Sequence, residues 1–346
     1  MPSPRDPVAD LRRIAFLLER AREPSFRVKA FRAAAGVVAD LDPADVTARA
    51  DRGSLTELTG IGEVTARCIT ESLAGEQPAY LRRLEATEDR PLDAATATLR
   101  AALRGDCHTH SDWSDGGSPI LEMAEAARAI GHDYVVLTDH SPRLKVARGL
   151  SAERLERQLE VVAELNDRLA PFRILTGIEV DINADGTLDQ LPSLLARLDV
   201  VVASVHSVLR MPSEEMTPRL IAAIANPHTD VLGHCTGRLI SAERGTRPES
   251  QFDAELVFAA CARFGVAVEI NSRPERLDPP KRLLRLAVEA GCLVSIDTDA
   301  HAPGQLDWQH FGCERAALCG VEVSAVVNSW AADELCAWGV DHSSRP

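Results

Sequence analysis

The sequence lacks any long apolar run and has few aromatic residues. No stretch of its 346 residues approaches the roughly 18–20 apolar residues of a membrane-spanning helix. The charged N-terminal segment has no apolar core of the kind found in signal peptides. We therefore expect a cytoplasmic protein that does not enter a membrane. Aromatic residues make up 4% of the chain and apolar residues 45%, so aliphatic side chains must form most of the core.

Paired cysteines are also missing, and basic residues are outnumbered. None of the eight cysteines forms a C-x-x-C pair, which predicts reduced, buried thiols. The net charge of −14 argues against nucleic acid as a partner of the whole chain. The charge is uneven, however, since residues 1–100 carry 15 basic and 16 acidic groups. Within residues 11–37 there are seven basic groups against two acidic ones, so a partner with negative charge remains possible there.

The first hundred residues predict a small helical domain. Residues 9–40 show the periodicity of two amphipathic helices separated at Pro24. They are followed by a loop with glycine at alternate positions, residues 58–62, and by a helical pattern over residues 63–73. This arrangement predicts a helix-hairpin-helix, whose backbone amides can hold a phosphate; a tight turn between packed helices is the alternative. The predicted DNA contacts are Gly60, Ile61, Gly62, Arg27 and Lys29.

From Gly105 onward, short apolar segments alternate with helical stretches, which is typical of a parallel α/β barrel. Six of these segments end on residues that can bind a metal ion. Because the carboxyl ends of barrel strands meet on one face, we expect a single metal site there. Six histidines, two aspartates and one glutamate suit Zn²⁺, Mn²⁺ or Fe²⁺, and nine ligands suffice for two to three ions. The candidates are His108, His110, Asp115, His140, Glu179, His206, His234, Asp299 and His301.

The motifs that contain these residues resemble those of the polymerase and histidinol phosphatase (PHP) superfamily. They are residues 106–116, 137–142, 177–181, 203–207, 232–238 and 297–301, and the resemblance covers about residues 104–320. It implies a distorted seven-unit βα barrel with a trinuclear centre. One ion would bind His108, His110, Glu179 and Asp299; a second would share Glu179 and add His206 and His234; a third would bind Asp115, His140 and His301.

The N-terminal part resembles the lyase-like helical domain of bacterial family-X DNA polymerases. Residues 23–35 and 58–62 carry this second resemblance. In that family a nucleotidyltransferase domain separates the two parts, and here the chain leaves no room for one between Arg100 and Cys107. We therefore expect no polymerase activity. The helix over residues 63–73 contains no lysine, so a lyase role is not expected either.

Together these patterns predict a metal-dependent phosphoesterase. The expected nucleophile is a hydroxide that bridges two ions. The family resemblance implies Mn²⁺ as the supporting ion. The expected substrate is a DNA 3′ end, cleaved by a 3′-5′ exonuclease or cleaned by a 3′-phosphatase in DNA repair. A small-molecule phosphatase of the histidinol-phosphatase type is the alternative, and a DNA-binding scaffold with a structural metal cluster is a third interpretation. Glu179, Asp299 and Arg238 are the candidates for catalysis.

Basic residues after the predicted strand ends are candidates for binding the phosphate, with structural ion pairs as the alternative. They are Arg238, Arg273, Arg276, Lys145 and Arg148. His132, before a strand, is interpreted as structural.

The predicted fold is a distorted (β/α)7 TIM-like barrel preceded by a small all-α helix-hairpin-helix domain. The predicted boundaries are 1–85 for the helical domain, 86–103 for a linker, 104–322 for the barrel and 323–346 for a C-terminal helix and tail.

Overall fold

The chain divides into two units, residues 1–91 and residues 92–346. The structure is a computed structural model, and it describes residues 5–87, 91–241 and 245–340.

The N-terminal unit is entirely helical. Its helices are α1 (Pro7–Arg20), α2 (Ser25–Ala39), α3 (Pro43–Arg52), α4 (Glu63–Leu73) and α5 (Ala79–Glu85). The Asp6 side chain accepts a hydrogen bond from the Val8 N–H at the start of α1, and Asp42 caps α3 in the same way. Apolar residues of α1 such as Leu11 and Ile14 are fully buried. The two amphipathic helices and the break near Pro24 lie where the sequence predicts them.

The second unit contains one sheet of seven parallel strands that pair in chain order. A parallel bridge from Thr109 to Ala300 joins the edges of the sheet, and the His110 N–H donates to the Ala300 carbonyl at 2.8 Å. The sheet therefore closes into a barrel, which confirms the predicted fold class. The strands are β1 (Gly105–Thr109), β2 (Tyr134–Leu137), β3 (Arg173–Asp181), β4 (Val200–Ser204), β5 (Val231–Leu232), β6 (Ala267–Asn271) and β7 (Val294–Asp297).

Helices follow the strands around this barrel. The barrel core is mainly aliphatic, as the composition predicts, with Phe258 of α11 as one of its fully buried aromatic residues. The helices are α6 (Ala94–Ala102), α7 (Ile120–Ala129), α8 (Ala152–Leu169), α9 (Pro192–Leu195), α10 (Ser213–Ile224), α11 (Ala254–Phe264), α12 (Lys281–Glu289), α13 (Gln309–Leu318) and α14 (Ala332–Val340).

Two segments differ from their prediction. Residues 86–103 were expected to be a linker, yet they contain α6, which packs against α13 through Leu99 and Leu103. A C-terminal helix and tail were predicted for residues 323–346, but α14 begins only at Ala332. Short 3-10 turns precede it, because the fully buried Asn328 side chain bonds the Ile296 backbone: it accepts from the N–H at 3.1 Å and donates to the carbonyl at 2.7 Å.

All eight cysteines are free thiols, and seven of them are buried, in agreement with the sequence. Across the described ranges, no helix has both the length and the apolar character that a bilayer span requires.

Candidate metal centre

The carboxyl ends of the barrel strands bring the nine predicted ligands to one face. Every strand except β6 supplies at least one of them. His108 lies in β1 and Glu179 in β3, whereas the other ligands lie in the segments that follow their strands. The side chains at the centre are deeply buried, and His108 and His110 are both 0% exposed.

Glu179 lies at the middle of this cluster. Its carboxylate oxygens lie within 4 Å of five imidazole nitrogens: His140 Nδ1 at 2.7 Å, His234 Nε2 at 2.9 Å, His206 Nε2 at 3.2 Å, His108 Nε2 at 3.4 Å and His110 Nε2 at 3.6 Å. A carboxylate surrounded in this way can bridge two ions, which is the role that the sequence resemblance implies for it.

The ligand atoms form three groups, and within each group they lie within 4.8 Å of one another. They are His108, His110 and Asp299; His140, Glu179 and His206; and His110, Asp115, His140 and His301. The first group lacks Glu179 of the predicted set, the second has His140 in place of His234, and the third adds His110. His234 belongs to none of the three groups, although its Nε2 is one of the atoms nearest to Glu179.

The buried polar atoms of the cluster fit divalent ions. Both oxygens of Glu179, both nitrogens of His110 and of His234, and Nε2 of His108 have no hydrogen-bond partner among the described residues. Buried polar groups are normally hydrogen-bonded. A cluster of this many polar atoms without a hydrogen-bond partner therefore indicates a bound group such as a metal ion. A mixed nitrogen and oxygen set of this kind suits Zn²⁺, Mn²⁺ or Fe²⁺.

The electrostatics keep the two carboxylates ionised, but the histidines differ from one another. Burial opposes the charge on His108, His140 and His206, yet Glu179 outweighs burial and raises the pKa of all three rings, so they must lose a proton to bind an ion. Burial opposes the charge on Glu179, but the imidazoles around it, His206 first, outweigh burial and hold its pKa well below its usual range. Burial also opposes the charge on Asp299, and Arg276 reverses the balance so that its pKa is well below normal. Burial, together with His301 and His140, lowers the pKa of His110. The carboxylates are therefore ionised and the His110 ring is neutral.

The predicted phosphate-binding arginines have different surroundings. Arg238 Nε donates to the Arg276 carbonyl at 3.0 Å, its Nη2 donates to the Leu277 carbonyl, and its Nη1 lies 3.5 Å from Glu249. These contacts fix the loop that follows β6. Because its donors already have partners, the structure disfavours Arg238 as a phosphate ligand and as a catalytic group.

Arg276 is better placed to bind an anion. Its Nε lies 3.1 Å from Asp299 Oδ2, and its Nε and Nη1 are buried without a geometrically sound hydrogen bond in the described part of the chain. Burial lowers its pKa, but Asp299 and Glu179 outweigh burial and raise it. Arg273 is more committed, since its Nη1 donates to the Asp299 carbonyl at 2.8 Å and lies 3.2 Å from His301 Nδ1.

The two basic candidates after β2 lie at the surface and not among the buried ligands. Lys145 and Arg148 are both exposed. Arg148 Nη2 donates to the carbonyls of Asp112 and Ser114. Arg148 therefore supports the loop that carries Asp115.

The predicted hairpin lies between α3 and α4 of the helical unit. Gly60 has a φ of +95° and packs on α2, where an added Cβ would lie 3.3 Å from Val37. Ile61 is 5% exposed, so only its backbone can reach a partner. The Gly62 N–H donates to Thr65 Oγ1 at 3.0 Å. Arg27 and Lys29 of α2 are exposed, and Arg27 pairs with Glu23.

Two polar residues of β6 also contact this centre, although they were not predicted from the sequence. They are Glu269 and Asn271. Both are fully buried. The signal was present, because a glutamate stands between Val268 and Ile270 in an otherwise apolar run.

Two family models match the chain, and they cover its two units separately. The model described as "PHP domain" matches residues 106–273, and the model described as "Helix-hairpin-helix domain" matches residues 4–78. A "Probable phosphatase" of Thermoanaerobacter sp. (strain X514) is 31% identical over 207 residues, which cover 57% of this chain and 78% of that protein. The chain belongs to the PHP-domain family.

Another relative of this PHP-domain protein carries a nuclease name. The "DNA polymerase/3'-5' exonuclease PolX" of Bacillus subtilis (strain 168) is 41% identical over 227 residues, or 66% of this chain. The chain spans only 39% of that relative's length. A phosphatase and an exonuclease are both hydrolases, so the predicted class of enzyme is confirmed.

Among solved structures, the fold is similar to a histidinol phosphate phosphatase from Lactococcus lactis, crystallised with zinc, L-histidinol and phosphate. The TM-score is 0.47 at 18% identity, over 63% of this chain and 93% of the other.

Proposed function

We propose that this protein is a metal-dependent phosphoesterase that hydrolyses phosphate esters at the open face of the barrel. The observation that carries the proposal is the convergence of nine potential ligands at the ends of six strands, with buried polar atoms that have no hydrogen-bond partner among the described residues. Two or three divalent ions bound there would supply a nucleophile at neutral pH and neutralise phosphate oxygens. A purely structural site has no need for so many ligands on an open strand-end face.

The chain's own residues have separable roles in this proposal. Glu179 and Asp299, ionised and buried, would hold the ions together with the imidazoles in their deprotonated form. Arg276, whose Nε and Nη1 are buried without a hydrogen-bond partner in the described part of the chain, would bind a non-bridging oxygen of the substrate phosphate. Arg276 replaces Arg238 in this role, because the donors of Arg238 are bound to carbonyls.

We further propose that the substrate is a DNA 3′ end, cleaved by a 3′-5′ exonuclease or cleaned by a 3′-phosphatase in repair. The support is the helix-hairpin-helix match in the helical unit and the similarity to a relative named as an exonuclease. Exposed Arg27 and Lys29 would hold DNA phosphates. The N–H groups of Ile61 and Gly62 already donate to the Leu58 carbonyl and to Thr65 Oγ1, which leaves the Gly60 N–H for a phosphate.

A small phosphate ester is the second candidate substrate, and two observations favour it. The chain spans 78% of the probable phosphatase but only 39% of the exonuclease relative. In addition, most of the negative charge lies in the part of the chain that forms the barrel, since residues 1–100 are almost neutral.

Turnover in the presence of Mn²⁺ separates these candidates. The substrates are 3′-labelled DNA, the same DNA with a 3′-phosphate, and histidinol phosphate. The double variant His108→Ala, His110→Ala should be inactive on all three, whereas His228→Ala, at a partly exposed histidine outside the ligand set, should keep full activity. A ladder of shortened DNA indicates an exonuclease, and release of phosphate alone indicates end cleaning. Turnover of histidinol phosphate with intact DNA would contradict the DNA proposal.

The assignment of Arg276 has its own test, with Arg238 as the matched control. A charge-assisted hydrogen bond contributes about 1.5–3 kcal/mol, so Arg276→Lys should lower kcat/KM by about 10–100-fold. Arg238→Lys should have a smaller effect on kcat/KM and a larger effect on thermal stability, because Arg238 bonds the loop carbonyls. The reverse order of effects would return the phosphate-binding role to Arg238.

A further inference from the structure

Strand β6 supplies none of the nine ligands, yet it carries two polar side chains at the metal centre. Glu269 and Asn271 are two residues apart, so their side chains point to the same side of the strand. Both are fully buried at 0% exposure. Burial of a carboxylate and an amide is costly unless their polar atoms are bonded, so their partners identify their role.

The partners of Glu269 belong to the metal centre. Its Oε1 lies 2.6 Å from Nδ1 of His108. Its Oε2 accepts hydrogen bonds from the His234 backbone N–H and, at 3.3 Å, from Asn271 Nδ2. The Asn271 amide also donates to Asp299 Oδ2 at 3.3 Å. Two residues of β6 thus contact three of the candidate ligands.

The contact with His108 determines which ring nitrogen can bind an ion. A carboxylate can only accept, so Nδ1 must carry the proton, and the lone pair of a neutral ring then lies on Nε2. Nε2 is the buried atom of His108 without a hydrogen-bond partner among the described residues, and it lies 3.4 Å from Glu179. The hydrogen bond therefore directs the lone pair of His108 toward the cluster. Carboxylates in this position orient the ring and raise its basicity as a ligand.

We propose that Glu269 is a positioning residue that, with Asn271, holds His108 and Asp299 in place for one ion. This inference rests on the proposed metal centre. Glu269 is not itself a ligand, because both of its oxygens already accept hydrogen bonds from the protein. Its pairing with an imidazole, and not with backbone N–H groups alone, distinguishes it from a carboxylate that only supports the fold.

Binding of Mn²⁺ to chelator-stripped protein, measured by isothermal titration calorimetry, tests the proposal independently of activity. Loss of such a contact typically weakens a metal site by about 10–100-fold. Glu269→Gln keeps the shape and an acceptor for Nδ1 but removes the charge, so it should weaken the tightest Mn²⁺ site less than Glu269→Ala does.

The matched control is Asp230→Asn. Asp230 is also a buried carboxylate of the barrel unit, 3% exposed, and its Oδ2 accepts the Val201 N–H at 2.7 Å. This variant should lose stability but bind Mn²⁺ as tightly as the wild type. If Glu269→Gln and the wild type bind Mn²⁺ with equal affinity, the positioning role is wrong. If the wild type itself binds no Mn²⁺, the proposed metal centre fails instead.

A measurement on the wild type covers the case in which the Glu269 variants do not fold. Long-range ¹H–¹⁵N NMR spectra of histidine-labelled protein saturated with Zn²⁺ report the protonation of each ring nitrogen. His108 should carry its proton on Nδ1. A proton on Nε2 would overturn the proposal, since that nitrogen could not then bind an ion.

Discussion

Replacement of His132 by glutamine should remove part of the acid sensitivity of the barrel unit. His132 precedes β2 and is 4% exposed. Its Nε2 lies 2.9 Å from Oε1 of Gln309, whose amide donates at 3.0 Å to the carbonyls of Gly105 and Ile296. Since the Gln309 oxygen can only accept, His132 Nε2 carries the proton and donates. The ring is thus a neutral structural group, as the sequence suggests.

The magnitude follows from the pKa of this ring. Burial, assisted by Arg100, lowers the pKa of His132 from 6.5 to about 3. Below pH 6.5 the unfolded chain binds a proton at this position that the native state does not bind. The native state is therefore progressively destabilised as the pH falls from 6.5 toward 3, and it is unaffected above 6.5. At about 1.4 kcal/mol per pH unit, the penalty at pH 4.5 is about 2–3 kcal/mol.

Urea unfolding of metal-stripped protein between pH 7.5 and 4.5 measures this effect. The glutamine amide of His132→Gln can still donate to Gln309 but does not titrate. When the pH falls from 7.5 to 4.5, the unfolding free energy of the variant should therefore rise by about 2–3 kcal/mol relative to that of the wild type. The histidines of the candidate metal centre are present in both proteins, so their contribution to the pH dependence of unfolding cancels in the comparison. His228→Gln reports any general effect of losing one imidazole. Parallel stability curves for His132→Gln and the wild type would refute the reasoning.

Other parts of the molecule lead to four further expectations. Phe258→Ala removes a fully buried ring and should cost about 3–5 kcal/mol of unfolding free energy in urea, with Leu256→Ala, at an exposed position of the same helix, as the control. Gly149→Ala should lower the melting temperature, because the added Cβ would collide with the Ser141 carbonyl. EDTA should lower the melting temperature by removing ions that bind only the folded state, and added Mn²⁺ should restore it. If the helical unit binds DNA through Arg27 and Lys29, the double variant Arg27→Ala, Lys29→Ala should reduce the slope of log affinity against log salt concentration by about 2. An unchanged slope would exclude these contacts.

The convergence of the nine candidate ligands could be predicted because they lie at or just after the ends of recognisable short apolar runs. That relation between strand ends and one face holds for any parallel barrel, so it brings together residues as distant in sequence as His108 and His301. Glu269 escaped the same reasoning although, like His108 and Glu179, it lies within its strand. The inward direction of its side chain depends on the register of β6 against β7, where Glu269 pairs with Ser295.

The roles of the arginines could not be predicted, because they depend on the path of the loop after β6. Arg238, Arg273 and Arg276 all follow strand ends, and sequence position alone makes them equivalent. In the folded chain the carbonyls of residues 276 and 277 turn toward Arg238 and occupy its donors. The same turn leaves Arg276 beside Asp299. Only the tertiary arrangement distinguishes Arg238, which bonds the loop carbonyls, from Arg276, the candidate anion-binding group.

The net charge of −14 is a weak argument against a DNA substrate, because much of it lies inside the barrel. Burial raises the pKa of Asp106 to about 7 and that of Asp297 well above its usual range, so both carry less negative charge than the formal count assigns to them. Glu179 and Asp299 are ionised, but two or three divalent ions would bring four to six positive charges to their side. The protein with its ions bound would therefore carry less negative charge than the composition suggests. The decision between DNA and a small ester rests on the salt dependence of binding, which responds to local phosphate contacts and not to the formal charge of the chain.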